Sequence, residues 1–99
     1  MRIISRKTLK NFYENSNYRD SKIPLESWFR ETLKVEWNSP VDIKNKYANA
    51  SILGNNRVVF NIHGNKYRLV IKIHYNLKTV YILFIGTHEQ YDEINAEEI

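Results

Sequence analysis

The sequence predicts an α+β protein in which helices come first and pack on one face of a small antiparallel sheet. Three observations carry the prediction. Apolar residues recur at three- and four-residue spacing as far as about residue 34. They recur at two-residue spacing from residue 57 onward. Turn-forming pairs then cut that second half into runs of strand length.

Residues 2–4, Arg-Ile-Ile, read as a short opening strand. Ser5 stands where a helix N-cap belongs, ahead of a helix over residues 6–16 with Leu9, Phe12 and Tyr13 on its inner face. Lys7, Lys10 and Asn11 fall between them and stay in water. A second helix begins around Pro24, a residue suited to a first helical turn. It turns Leu25, Trp28, Phe29, Thr32 and Leu33 inward and Arg30, Glu31 and Lys34 outward. Residues 17–22 join the two helices as an antiparallel pair. Pro40 biases Ser39 away from helical geometry and so ends the helix near Trp37-Asn38. Residues 41–47 fit more than one reading, of which a short helical turn begun by Ser39 and Asp42 is one. Trp28 belongs to the core; Trp37 either packs beside it at the helix end or lies at an interface.

Residues 57–63, RVVFNIH, alternate Val58, Phe60 and Ile62 against Arg57, Val59, Asn61 and His63. Gly64-Asn65 then marks a turn, of type II′ or slightly longer. Residues 67–75 form the clearest strand: Tyr67, Leu69, Ile71, Ile73 and Tyr75 share one face, and Arg68, Val70, Lys72 and His74 the other. Asn76-Leu77-Lys78 is the next turn. Residues 79–86, TVYILFIG, are apolar on both faces, as a central or covered strand is.

The 99 residues suit a single domain spanning 1–99. No apolar run approaches the roughly 20 residues that span a bilayer. There is no cysteine, which excludes disulfides, thiolate zinc sites and thiol catalysis. The opening residues lack the apolar stretch of a secretory signal, so a cytoplasmic location is the expectation. The net charge of +4 hides an asymmetry. From about residue 89 an acidic tail carries Glu89, Asp92, Glu93, Glu97 and Glu98, so the first 88 residues hold all 15 bases against six acids. A body at +9 attracts polyanions, although many small basic proteins bind none specifically.

Arg68, Lys72 and His74 share the outward face of the best strand, with Arg57 and Asn61 on the strand beside it and Lys66 at the hairpin. Bases on an open, twisted sheet make a cradle for a phosphate backbone. The plainer reading is that any half-exposed sheet carries Lys and Arg on its wet face. The segment Gly86-Thr87-His88-Glu89-Gln90-Tyr91-Asp92 sets an imidazole, a phenol and carboxylates just past a strand end, where proton transfer and base stacking are both within reach. His63, His74 and His88 lack metal-ligand spacing, and no nucleophile elbow, P-loop or dinucleotide fingerprint occurs. No metal or other cofactor is expected.

Taken together, Val59-Phe60-Asn61, Gly64-Asn65-x-x-Arg68 and Gly86-Thr87-His88-x-x-Tyr91-Asp92 resemble the HigB toxins of type II toxin–antitoxin modules, members of the RelE-like superfamily. The resemblance covers nearly the whole chain. It implies a RelE-like fold and a metal-independent mRNA interferase: a ribosome-dependent endoribonuclease that enters the A site and cuts mRNA, so inhibiting translation. The ribose 2′-hydroxyl attacks the adjacent phosphate, which requires proton transfer and cations for the developing charge. On that reading Arg68 and Lys72 supply cations, His88 transfers a proton and Tyr91 positions the nucleotide. Arg57, Asn61, Asn65, Lys66 and His74 hold RNA. The implied partners are a HigA-like antitoxin with a helix-turn-helix domain, mRNA and the ribosome, with operator DNA reached only through the antitoxin and no membrane. The alternative is a degenerate toxin, a basic module that binds RNA or protein without cutting. The early part of the acidic tail is expected to serve the site, Glu97 and Glu98 to be disposable, and truncation after Asn95 to leave toxicity intact.

Overall fold

A three-residue strand, β1 (Arg2–Ile4), opens the chain and leads into helix α1 (Arg6–Glu14). A 3-10 segment, Ser16–Ser21, kinked at Tyr18, passes directly into helix α2 (Lys22–Lys34), and a short helix α3 (Pro40–Lys46) follows. Four strands come next: β2 (Ser51–Ile52), β3 (Arg57–Ile62), β4 (Tyr67–His74) and β5 (Thr79–Thr87). A last helix, α4 (His88–Asp92), grows straight out of β5. The computed structural model describes all 99 residues.

The architecture is α+β, with four helices and one five-stranded sheet in the order β1-β5-β4-β3-β2. The sheet is mixed rather than wholly antiparallel as expected. The three pairings among β2 to β5 are antiparallel, but β1 lies parallel to β5, with Ile3 opposite Val80. The reason is topological. No hairpin ties β1 to its neighbour, so its direction is free, and it covers the edge that β5 would otherwise expose. β5 is apolar on both faces because both are covered, Val80, Ile82 and Ile85 by the main core and Leu83 and Phe84 by the packing on the opposite face. β5 also carries a bulge: Val70 faces Phe84 and Ile71 faces Ile82, leaving Leu83 as the extra residue.

The first face of the sheet carries the main core. Val58 and Phe60 of β3, Tyr67, Leu69, Ile71 and Ile73 of β4, and Val80 of β5 are buried against Leu9 of α1, Leu25 and Trp28 of α2 and Ile43 of α3. Phe60 lies at its centre, with the rings of Trp28, Trp37 and Tyr47 at 5.4, 6.0 and 5.2 Å. Each such ring contributes about 1.5–3 kcal/mol through burial. Trp37 is therefore a core residue, 3% exposed.

Several local expectations are refined. α1 stops two residues early, at Glu14, and Ser5 occupies the N-cap position without a side-chain cap bond. The expected loop at 17–22 is the 3-10 segment, which moves the start of α2 back to Lys22. α3 forms, and Asp42 rather than Ser39 does the work at its start, accepting from the Asn38 backbone N–H at 2.8 Å.

The second face differs most from expectation. Its centre is apolar and covered. Val59 and Val70 are buried beneath Ala96, with Phe84, Tyr91 and Ile94 packed around them. The acidic tail is thus a strap across the sheet. It is fastened further on, where Asn55 Nδ2 donates to the Glu97 carbonyl at 3.0 Å and the Arg57 guanidinium donates to Ile99 O. Truncation after Asn95 is therefore not neutral. It removes buried Ala96 and one of the two carbonyl partners of Arg57, whose Nε is already buried without one. We expect a destabilisation of about 1–3 kcal/mol, read by thermal denaturation as a fall in Tm of roughly 5–20 °C. An unchanged Tm would mean that the strap only rests on the sheet.

Candidate functional site

One end of the sheet gathers most of the chemically able side chains around the loop His63–Lys66. This is the turn that Gly64-Asn65 marks, four residues long rather than two, because the β3–β4 ladder ends at Ile62 opposite Tyr67. His63 and Gly64 both have positive φ, 55° and 64°, which reverses the chain and turns the loop's carbonyls toward its neighbours. Two of those carbonyls organise the site. Asn65 O accepts from Arg68 Nη1 at 2.8 Å, and Lys66 O accepts from the His88 backbone N–H at 3.2 Å. Loop, guanidinium and imidazole-bearing helix are thereby fixed to one another.

Arg68 lies on β4, cross-strand from Asn61 on one side and Gly86 on the other. Its Nη1 also approaches Tyr67 O at 3.3 Å. Its partners are carbonyl oxygens, and no carboxylate pairs with it. It is a positive charge held in place but not neutralised, and its fork geometry suits a phosphate. Asn61 Nδ2 reaches Asn65 Oδ1 at 3.5 Å, which brings both asparagines to the same edge.

α4 is the site element that sequence reasoning missed. Its signal is present as a capping box: the Thr87 hydroxyl accepts from Gln90 N at 3.1 Å, and Gln90 Oε1 accepts from Thr87 N at 2.9 Å. Gly86 leaves room for this arrangement, since a Cβ there would lie 2.7 Å from Gln90 Oε1 and 2.5 Å from the Phe84 ring. The helix puts His88 and Asp92 one turn apart, with Nδ1 to Oδ2 at 3.1 Å. Both side chains are about half exposed, so the pair adds little to stability. Its consequence is orientation: the carboxylate engages Nδ1 and leaves Nε2 without a hydrogen-bond partner. Tyr91 is half-buried, its ring packed on the Val59–Val70 patch.

A second group, also missed, anchors the loop from below. Asp20, on the 3-10 segment, accepts hydrogen bonds from Lys66 Nζ and the Tyr67 hydroxyl, with His63 Nε2 at 3.7 Å. Tyr18 stacks on Phe12 at 4.4 Å, and its hydroxyl accepts from Gln90 Nε2 at 3.4 Å, joining the same segment to α4. No periodicity could reveal Asp20, which meets its partners from 46 and 47 residues away. The Lys66 ammonium, and to a lesser degree the Tyr67 hydroxyl, hold the Asp20 carboxyl below its usual range. Asp20 in turn raises Lys66, while burial first and Asp20 second raise the Tyr67 phenol. Lys66 is thus already paired.

The depressed carboxyl has a consequence for stability. The folded protein holds fewer protons there than the unfolded chain, so the stabilisation is complete above the usual value of 3.8 and fades as pH falls through the lower folded value. Denaturant titrations from pH 6 to pH 2.5 should therefore fall more steeply for the native protein than for Asp20→Asn. Parallel curves would show that the cluster does not bear on folding.

The remaining candidates lie elsewhere. Lys72 and Arg57 face one another across β3 and β4, and His74 lies opposite Thr79. Lys72 is four residues from Arg68 along the strand, about 13 Å, with the Val70 patch between them. The expected continuous cationic face is therefore divided, because the C-terminal strap covers its middle. Arg57 is committed to Asn55 O and Ile99 O, and His74 Nδ1 accepts from Leu77 N at 3.3 Å. No set of three His, Asp or Glu side chains gathers to hold a metal ion, and no helix is long and apolar enough to cross a membrane.

No curated protein matches the chain. Residues 21–94 match a protein family, HigB toxin, described as the RelE-like toxic component of a toxin–antitoxin system. The matched stretch runs from the end of the 3-10 segment to just beyond α4, and so contains the loop, Arg68 and the His88–Asp92 pair. With most of its length matched and an α+β architecture in agreement, the chain belongs to the HigB family of RelE-like toxins.

Proposed function

We propose that this toxin is a ribosome-dependent mRNA endoribonuclease that cuts by attack of a ribose 2′-oxygen on the adjacent phosphorus. The bond from phosphorus to the 5′-oxygen breaks, leaving a cyclic phosphate and a free 5′-hydroxyl. One observation carries the reading: a positioned guanidinium with no carboxylate partner and a carboxylate-oriented imidazole are tied to the same four-residue loop. Arg68 stabilises the charge that develops on the phosphate. His88 moves a proton, its outer nitrogen left open by Asp92. Asn61 and Asn65 contact RNA beside them. Lys66 contributes more by fixing the loop than by free charge, and Tyr91 more by seating α4 on the sheet than by stacking on a base. Lys72, with Arg57 and His74, lies at the far end of the face, where RNA beyond the cut passes. The reaction draws on these side chains without a metal. The 99 residues act as one domain in the cytoplasm on translating ribosomes, restrained by a HigA-like antitoxin whose helix-turn-helix domain carries the operator contact.

Primer extension on an mRNA, translated or untranslated, tests the reading. Discrete cuts confined to the translated reading frame, with 5′-hydroxyl ends, are expected. Absence of cuts favours the non-cleaving module, and equal cutting of naked RNA removes the ribosome from the mechanism.

A further inference from the structure

Membership of a toxin–antitoxin family implies an antitoxin partner. The structure offers a surface for it away from the loop and α4. Helices α1 and α2 enclose a trough of about 230 Å³, lined by Leu9, Leu25, Phe29 and Leu33, with Arg6 and Arg30 beside a single carboxylate, Glu26. The same stripe of α2 leaves two large apolar side chains in water, Ile23 at 75% and Leu33 at 48% exposure. They lie near the two ends of the helix, at the i, i+3, i+7 and i+10 spacing of Ile23, Glu26, Arg30 and Leu33.

The charge around this trough is one-sided. Arg6, Lys10, Arg19, Lys22 and Arg30 stand on α1, α2 and the segment between them, against Glu14 and Glu26. None of the five bases forms an ion pair. Two of them lie over aromatic rings instead, Arg6 over Phe29 at 5.3 Å and Lys22 over Tyr13 at 5.9 Å. Unpaired cations around an apolar floor ask for a ligand that is both acidic and apolar. The trough is smaller than the roughly 300–1,000 Å³ of small-molecule pockets, yet deep enough to take single side chains. RNA supplies the charge, but its phosphates do not fill an apolar floor, and the two rings that line it, Phe29 and Tyr13, already lie under Arg6 and Lys22.

We propose that the α1–α2 trough docks an acidic amphipathic segment of the antitoxin, which lowers apolar side chains onto Leu9, Leu25 and Phe29 and sets carboxylates against Arg6 and Arg30. This is the helix-in-groove mode of recognition. It rests on family membership and not on the nuclease reading, because the trough shares no residue with the loop or α4.

The probe is the antitoxin encoded beside this chain, purified free of toxin, with affinity measured by calorimetry at two salt concentrations. Leu33→Glu, on an exposed position, is expected to weaken binding about 30-fold, the size of a central anchor. The double variant Arg6→Glu/Arg30→Glu should weaken it as much and remove most of the salt dependence. Both variants should arrest growth like the native toxin when expressed alone, and should no longer be silenced by the antitoxin. Native affinity in both variants overturns the proposal. So does a native dimer that Leu33→Glu dissolves with antitoxin binding intact, which assigns the trough to a second copy. Loss of RNA binding by the double variant with antitoxin affinity intact overturns it as well, in favour of RNA.

Discussion

Replacing Arg68 by alanine should lower the rate of mRNA cutting by about 10²–10³-fold, the cost of removing one positioned donor to developing oxyanion charge. The expectation follows from how the guanidinium is held. Two backbone carbonyls fix it and no carboxylate neutralises it, so its charge is available before substrate arrives. Nothing in the core depends on it, since Arg68 is only partly buried and its neighbours in the strand, Leu69 and Val70, pack without it. The variant should therefore melt close to the native temperature, which separates lost chemistry from lost fold. Arg68→Lys sharpens the test: the charge stays but the fork does not, and about a tenfold loss is expected for a site that reads a phosphate through two donors. Growth arrest on induction and primer extension on translated mRNA give the two readouts. A folded Arg68→Ala protein that cuts at the native rate would move the chemistry away from this loop.

What was legible in the sequence follows from the range of the interactions. Local periodicity is enough to place β3, β4 and β5 within a residue or two, because each alternates apolar and polar residues or is bounded by a turn. It is enough for most of α2, where Leu25, Trp28 and Thr32 are buried as their spacing requires, but Leu33, expected on the same inner face, is 48% exposed because nothing packs over that side of the last turn. It fails for β2, a two-residue strand of exposed Ser51 and Ile52 that exists only because β3 lies beside it. It cannot orient β1, whose partner is the last strand of the chain. It also cannot see that an acidic tail covers a sheet, because only Tyr91, Ile94 and Ala96 among its charges report the packing.

The site divides in the same way. Arg68, Asn65 and His88 could be picked out because glycine-marked turns and a strand end set them apart in the sequence. Asp20 could not, since nothing near it hints at Lys66 and Tyr67. Asp92 was visible as a residue, but its pairing with His88 required the helix that the Thr87–Gln90 capping box starts. A face-by-face reading of β4 also joined Lys72 and His74 to Arg68, although an apolar patch separates them.

Replacing His88 by alanine should reduce cutting by about 10²–10⁴-fold, the range for loss of a positioned proton-transfer group. His88→Ala removes an exposed side chain, and the backbone N–H that holds α4 to Lys66 O remains, so the fold should not suffer. Asp92→Asn is the more discriminating change. It keeps the side chain's size and replaces the carboxylate opposite Nδ1 by an amide that can donate as well as accept, so the ring's tautomer and orientation are no longer fixed by a pure acceptor. A loss smaller than that of His88→Ala is expected, and the double variant should be no worse than His88→Ala alone, because an orienting carboxylate has no use once the imidazole is gone. If instead the two losses multiply, Asp92 acts on RNA independently of His88, and the paired geometry on α4 is incidental to the reaction.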